Sequence, residues 1–248
     1  MELKVGCCGF SAAHSKYATL FPVVEVQQTF YQPPMLKTLQ RWRAEMPPEF
    51  EFTLKAWQLI THEAHSQTYK RLKLPLSDEQ RRQAGSFKDS PLVWQGWDTT
   101  LECAEALAAR RVLFQCPAGF KPTETNLARL RHFFKKAERA NFQFLWEPRG
   151  DWPDELVAQL CRELKLIHAV DPFIRPTVTP EFIYYRLHGG EGFRHVYTDP
   201  ELQTLLEGLP PNSPAYIMFN NIEMLSDAGR FSQLAASLGN QNSGSGML

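Results

Sequence analysis

The chain has 248 residues, enough for one large domain or two small ones. Its apolar content of 43% suits a soluble globular protein, and 27 basic residues balance 27 acidic ones, so no global field draws it to nucleic acid or an anionic membrane. No apolar run approaches the ~20 residues that span a bilayer, the start Met1-Glu2-Leu3-Lys4 lacks a signal-peptide core, and five cysteines without a C-x-x-C pair fit a reducing cytosol.

Short apolar runs predict eight strands, at residues 5–9, 23–27, 50–55, 111–116, 144–147, 168–171, 182–188 and 215–220. Helical patterns lie between them. The first crossover, residues 11–21, is short. Leu36, Leu39 and Trp42 give helical spacing over 35–46, after Pro33-Pro34. Residues 69–98 form a long polar insertion after the third strand, with Lys70, Arg71, Lys73, Arg81, Arg82 and Lys88. They read as a solvated loop, with a lid or phosphate-facing arm as the sharper reading. A helix is expected over 99–110, and Thr123 is placed to cap another that reaches Ala140. Asp151-Trp152-Pro153-Asp154-Glu155 and Asp199-Pro200-Glu201 read as helix starts, with proline early and acids in the first turn. Pro172, Pro176 and Pro180 exclude a helix in the sixth crossover. A last helix is expected over 224–238, closing one domain of residues 1–238 and leaving 239–248 as a flexible Gly/Ser/Asn-rich tail.

Alternating strands and helices predict a parallel sheet with helical crossovers. Eight strands in this length match an irregular (β/α)8 barrel with an insertion after its third strand. The rival is a doubly wound open sheet, whose strands would be apolar on both faces. Here one alternation phase is polar: Gln27, Glu51, Thr53 and Tyr184 fall on it. That phase, turned inward in a barrel, should gather polar groups at one end.

Those groups are the candidate site. Glu147 ends the fifth strand and can act as general base, general acid or metal ligand, or form a structural pair with Arg149 or Arg186. Arg186 and His188 share the inward phase of the seventh strand, and an inward arginine needs an anionic partner, either a ligand or Glu147 or Asp171. Gly189, with Gly190 and Gly192, suits a loop that exposes backbone N–H groups to phosphate, or simply a turn. Lys55 ends the third strand as an anion contact, an amine nucleophile if desolvated, or a buried partner of Glu25. Glu147, His188, Lys55 and Asp171 are therefore the catalytic candidates. Glu25, Gln27, Tyr31, His62, Gln115, Arg149, Arg186, Gly189, Asn220 and Asn221 are the substrate-binding candidates. No nucleotide fingerprint is present. His62 and His65, with His188, Glu147 and Asp171, supply donors for a divalent metal, a reading that ranks below anion binding.

In order along the chain, Gly6-Cys7-Cys8-Gly9-Phe10, residues 24–31 (Val-Glu-Val-Gln-Gln-Thr-Phe-Tyr), Phe52-Thr53-Leu54-Lys55, Ile60-Thr61-His62, Gln115-Cys116-Pro117, Trp146-Glu147-Pro148-Arg149 with Trp152, Asp171, Tyr185-Arg186-Leu187-His188-Gly189 and Phe219-Asn220-Asn221 form a set. Together they resemble the YecE-like family, catalogued as domain of unknown function 72. The resemblance covers nearly the whole chain and implies a TIM-barrel-like fold without a settled activity. The chain departs from the common pattern at Phe10 (usually tryptophan), at Gln27 (usually asparagine) and in its shorter first crossover; Glu25, Lys55, Glu147, Asp171, Arg186 and His188 remain in place. The expected function is a hydrolase or lyase acting on a small anionic substrate, with phosphate esters among the candidates. The alternatives are a metal-dependent nuclease or nucleic-acid repair enzyme, its basic insertion tracking a backbone, and a metabolite-binding protein without turnover. No obligate protein partner is expected.

Overall fold

Each of the eight apolar runs forms a strand. A computed structural model describes residues 2–190 and 192–244. The strands are β1 (Leu3–Cys7), β2 (Val23–Val26), β3 (Glu51–Lys55), β4 (Arg111–Gln115), β5 (Gln143–Glu147), β6 (Leu166–Val170), β7 (Ile183–Leu187) and β8 (Ala215–Phe219). They pair in parallel and in order. β1 meets β8 from Leu3↔Ala215 to Cys7↔Phe219, which closes the barrel and removes every free edge.

The crossovers carry α1 (His14–Leu20), α2 (Gln28–Tyr31), α3 (Leu36–Glu45), α4 (Gln58–Thr61), α5 (Asp78–Gln83), α6 (Pro91–Ala106), α7 (Glu124–Lys136), α8 (Asp154–Leu164), α9 (Asp199–Glu207) and α10 (Met224–Gly244). A 3₁₀ turn covers Gln67–Arg71. Between β6 and β7 there is no helix, as the three prolines require. The insertion after β3 is more ordered than its polarity suggests. α6 begins at Pro91 rather than Thr99, because Ser90 accepts a hydrogen bond from Val93 N–H and proline sits in the first turn. α10 continues past Leu238 to Gly244; Gly239 and Asn240 look like a stop signal but lie inside it, and no proline blocks the turn. The last part of the expected flexible tail, residues 245–248, lies outside the described residues. Among the described residues no helix is long and apolar enough to cross a membrane.

Alternation splits the core in two. The outer phase packs the barrel against its helices: Phe114 lies 5.0 Å from Phe134 and 5.3 Å from Phe144, ring centre to ring centre. Each such buried side chain contributes ~1.5–3 kcal/mol. The inner phase is a smaller cluster of Val23, Leu113, Leu145, Ala169, Tyr184, Tyr216 and Met218. Polar inner residues occupy both ends of this plug rather than one. Glu51, at the start of β3, accepts hydrogen bonds from Lys4 Nζ (2.6 Å), Arg111 Nη1 (3.0 Å) and Tyr216 Oη (2.6 Å). It belongs to the floor of the barrel, and the site occupies the opposite rim.

Candidate functional site

A cavity of about 790 Å³ opens at the C-terminal ends of the strands. Strand parity places Lys55, Gln115, Glu147 and Arg186 in it, and the loops add Gln27, Tyr31, His62, Arg149, Asp171, His188 and Asn220. Most of the predicted site residues are therefore brought together.

Arg186 is the hub, with 0% of its surface exposed. Its Nε donates to both oxygens of Glu25 at 3.1 Å, and Nη2 donates to Glu25 Oε1 at 2.7 Å. Nη1 donates to Glu147 Oε2 and to Gln115 Oε1, the latter at 3.3 Å. Tyr184 Oη donates to the second oxygen of Glu25 at 2.8 Å. Burial pushes the pKa of Glu25 up, but the charge and hydrogen bonds of Arg186, with that of Tyr184, outweigh it and hold the group below the usual carboxylate range. Glu147 is held well below that range in the same way: burial opposes, and Arg186 and Arg149 prevail.

Three readings change as a result. Arg186 does not offer an anion contact, since its donors are spent inside the protein. Glu25 does not line the cavity; it lies behind Arg186 as its counter-ion. Glu147 is a carboxylate of low proton affinity, with Arg149 Nε donating to Oε1 at 2.7 Å, so it is poorly suited to move a proton.

Asp171 takes up main-chain donors. Its Oδ2 accepts from His188 N–H at 2.8 Å and its Oδ1 from Phe173 N–H at 3.0 Å. Burial leaves its carboxyl above the usual range despite these bonds. It anchors the loops after β6 and β7. His188 Nε2 lies 3.0 Å from Arg149 Nη2, 3.2 Å from Arg186 Nη1 and 3.3 Å from Glu147 Oε1. Its Nδ1 lies 2.8 Å from Asn220 Nδ2.

Two predicted contacts lie elsewhere. Gly189 adopts φ +87, and a Cβ there would stand 2.4 Å from Gly192 O, so the position requires glycine. Its N–H donates to Tyr197 Oη at 2.8 Å, and Gly192 N–H serves Gly189 O. The N–H groups of Gly189 and Gly192 are thus taken up within the turn. Asn221 is buried and donates to His195 O and Asp227 Oδ2, at 2.9 and 2.7 Å. It ties the loop after β8 to α10.

Lys55 stands apart from this network. It is 4% exposed, lines the cavity, and places Nζ 3.5 Å from the centre of the Phe30 ring. Among the described residues it forms no ion pair; Glu25, a candidate partner, is taken by Arg186. Burial, reinforced by the charge of Arg186 and only partly offset by Glu147, lowers its pKa from 10.5 to about 7. His62 beside it is depressed to about 3 by burial and then by Lys55, which keeps the imidazole neutral; its Nδ1 lies 2.8 Å from Thr61 Oγ1. His65 is exposed and sits 3.6 Å from Glu63, away from the cavity. Among the described residues no three His, Cys, Asp or Glu side chains are grouped to hold a metal ion. Of the donors considered for a metal, Glu147 is paired to Arg186, which also holds Glu25.

A family model described as "Protein of unknown function DUF72" matches residues 11–245. The chain belongs to the DUF72 family. Its fold is also that of solved DUF72 structures. One from Enterococcus faecalis is 20% identical, with 96% of this chain and 95% of that chain covered and a TM-score of 0.70. Another, from Thermotoga maritima, is 20% identical over 95% of this chain and 100% of its own, with a TM-score of 0.67. Endonuclease IV from Thermus thermophilus shares the barrel at 11% identity, covering 97% of this chain and 100% of its own, with a TM-score of 0.54. No curated protein matches.

Some parts of this DUF72 site escaped the sequence reading. Tyr184 and Cys8 supply a partner each, to Glu25 and to Arg186 (Nη2 to Cys8 Sγ, 3.6 Å). Parity places Tyr184 on the inward phase of Arg186, but not its role as a donor to Glu25. The rim residues Ile174 and Phe193, 64% and 60% exposed, form an apolar lip. They lie in loops without periodicity, and no pattern marks them. Three of the six basic residues named in the insertion make contacts within the protein. Arg71 stacks on Tyr31 at 3.5 Å, Arg81 donates to Ala64 O at 3.2 Å, and Lys88 donates to Ala84 O at 2.9 Å.

Proposed function

We propose that this DUF72 protein is an enzyme of hydrolase or lyase type. It binds a small anionic substrate at the barrel mouth and moves a proton through Lys55. One observation carries the reading: a buried lysine amine faces the cavity with no carboxylate partner among the described residues, beside a second cation with a donor to spare. Arg149 is that cation. Its side chain is 39% exposed, Nε is bonded to Glu147 and Nη2 to His188, and Nη1 has no hydrogen-bond partner among the described residues. An anion bound there meets a guanidinium already oriented by two neighbours, so little ordering remains to be done. Lys55 in its neutral form accepts a proton near pH 7, where a general base is most effective. Glu147, Gln115 and Arg186 are positioning residues that hold the rim rigid, and Asn220 orients His188.

Thermal-shift titration tests the anion contact. A panel of small carboxylates and phosphate esters should contain ligands that raise the melting temperature of the wild type. Arg149→Met should weaken such a ligand by ~10–100-fold, the value of one hydrogen bond between charged groups. An unchanged affinity in that variant would remove Arg149 from the binding role. Binding should also weaken as pH rises through about 7, because deprotonation of Lys55 removes a cation from the cavity.

A further inference from the structure

We infer that Lys55 is a nucleophile that condenses with the carbonyl carbon of a small oxo acid, forming an iminium link at the barrel mouth. The inference rests on the reading of the mouth as an anion-handling enzyme site, and it names the substrate class.

The geometry supports a free amine. Lys55 is the last residue of β3 and points inward and up into the cavity. The face of Phe30 covers one side of Nζ at 3.5 Å. The two buried carboxylates nearest in function are both committed to arginines. An ammonium held here is desolvated without a counter-ion among the described residues, whereas a neutral amine keeps its lone pair for chemistry. The depressed proton affinity agrees with that picture.

The same environment defines the partner. An iminium is a cation, and a cavity that rejects an ammonium also rejects an iminium unless a negative charge arrives with it. The substrate must therefore carry both a carbonyl and an anionic group. A carboxylate fits better than a phosphate dianion, because Gly189 and Gly192 spend their N–H groups internally and Arg149 offers one nitrogen without a partner among the described residues. A cavity of about 790 Å³ accepts a small oxo acid and leaves room for a substituent against Ile174 and Phe193.

The step balances without a redox partner. The Lys55 lone pair forms the C–N bond while the carbonyl π pair moves to oxygen. Proton transfer from nitrogen to oxygen gives a carbinolamine. Loss of its hydroxyl as water, with one proton taken from solvent, leaves the protonated imine. That iminium draws electrons from the adjacent carbon, which suits lyase chemistry.

The test is reductive trapping of the full-length protein at pH 7. Pyruvate, acetone (a carbonyl without the anion) and lactate (the anion without the carbonyl) are compared with sodium cyanoborohydride present, and adducts are located by peptide mass mapping. At pH 7 a lysine of pKa about 7 holds ~10³-fold more free amine than an exposed one. Pyruvate should therefore label Lys55 first, at least ~10-fold faster than acetone does and faster than any other lysine. Lys55→Met should lose that label. Labelling spread over surface lysines, or equal rates with acetone, would overturn the inference. Stabilisation by lactate with no adduct from pyruvate would overturn the iminium and leave the anion site standing. If lactate and pyruvate neither stabilise nor label, the iminium and the oxo-acid class both fall. The anion reading itself then stands or falls with the wider panel above.

Discussion

Arg186→Met should cost ~3–5 kcal/mol of folding stability at pH 7, the range for breaking a buried ion pair by removing one partner. In a chain of this size that lowers the melting temperature by roughly 10 °C. The cause is not a cavity, since methionine fills much of the space. Two carboxylates, Glu25 at 0% exposure and Glu147 at 5%, lose the guanidinium that joins them. Arg149 still serves Glu147, but Glu25 keeps only Tyr184 and Gln27. The effect should depend on pH with a definite sign. In the wild type both carboxyls lie below their ordinary value of 4.5, so their contribution is present above that pH and is lost as pH falls through the folded values. In the variant, burial acts on Glu25 nearly unopposed and raises it, so its penalty is relieved as pH falls. The gap between wild type and variant should be widest near pH 7 and should narrow toward pH 4. Adding Glu25→Gln to Arg186→Met should restore part of the loss, with a coupling of ~0.5–3 kcal/mol. Urea unfolding of the wild type, Arg186→Met, Glu25→Gln and the double variant decides the matter; a loss under ~1 kcal/mol in Arg186→Met would mean the hub is not what holds the rim.

Lys55→Met should act in the opposite direction and stabilise the protein. A fall in the lysine from 10.5 to about 7 corresponds to ~5 kcal/mol forfeited by the wild type wherever the unfolded chain binds the proton and the folded one resists it. The folded value lies below the unfolded one, so between pH 7 and 10.5 the unfolded state carries more protons and wild-type stability rises with pH. The advantage of methionine should therefore be full below pH 7, shrink through that window and vanish near 10.5. Methionine also packs on Phe30 without a desolvation cost. Stability curves at pH 6, 8 and 10 check the sign. A variant that is less stable than the wild type at pH 6 would show that the lysine has a counter-ion and is charged by design. The variant should lose turnover while gaining stability, the exchange expected where a strained group serves function.

Much of this was legible in alternation alone. Lys55, Gln115, Glu147 and Arg186 were placed inward because period-two spacing fixes the face of a strand, and the barrel carried that face to a common rim. Gln27, His188 and Asn220, one residue past their strands, kept the same phase. Depth along the barrel axis was not legible. Glu25 and Glu51 share a phase with the site, yet one lies beneath Arg186 and the other on the floor, because strand stagger sets height. Nor was the choice of partners. Arg186 and Glu25 are 161 residues apart, and only closure of the cylinder decides that this pair, rather than Lys55 with Glu25, forms. Gly189 and Asn221 follow strand ends where loop geometry, not parity, aims the groups. The start of α6 was legible and overlooked: Ser90-Pro91 is a helix-initiating pair, hidden by the polar stretch before it.

The most direct test is a pH titration of Lys55 itself, followed by NMR at its side-chain nitrogen in the intact protein. A midpoint near 7 is expected, together with an upward shift when a small carboxylate is bound. A midpoint close to the ordinary 10.5 would mean a permanently charged lysine, and neither the proton transfer nor the covalent chemistry assigned to it would stand.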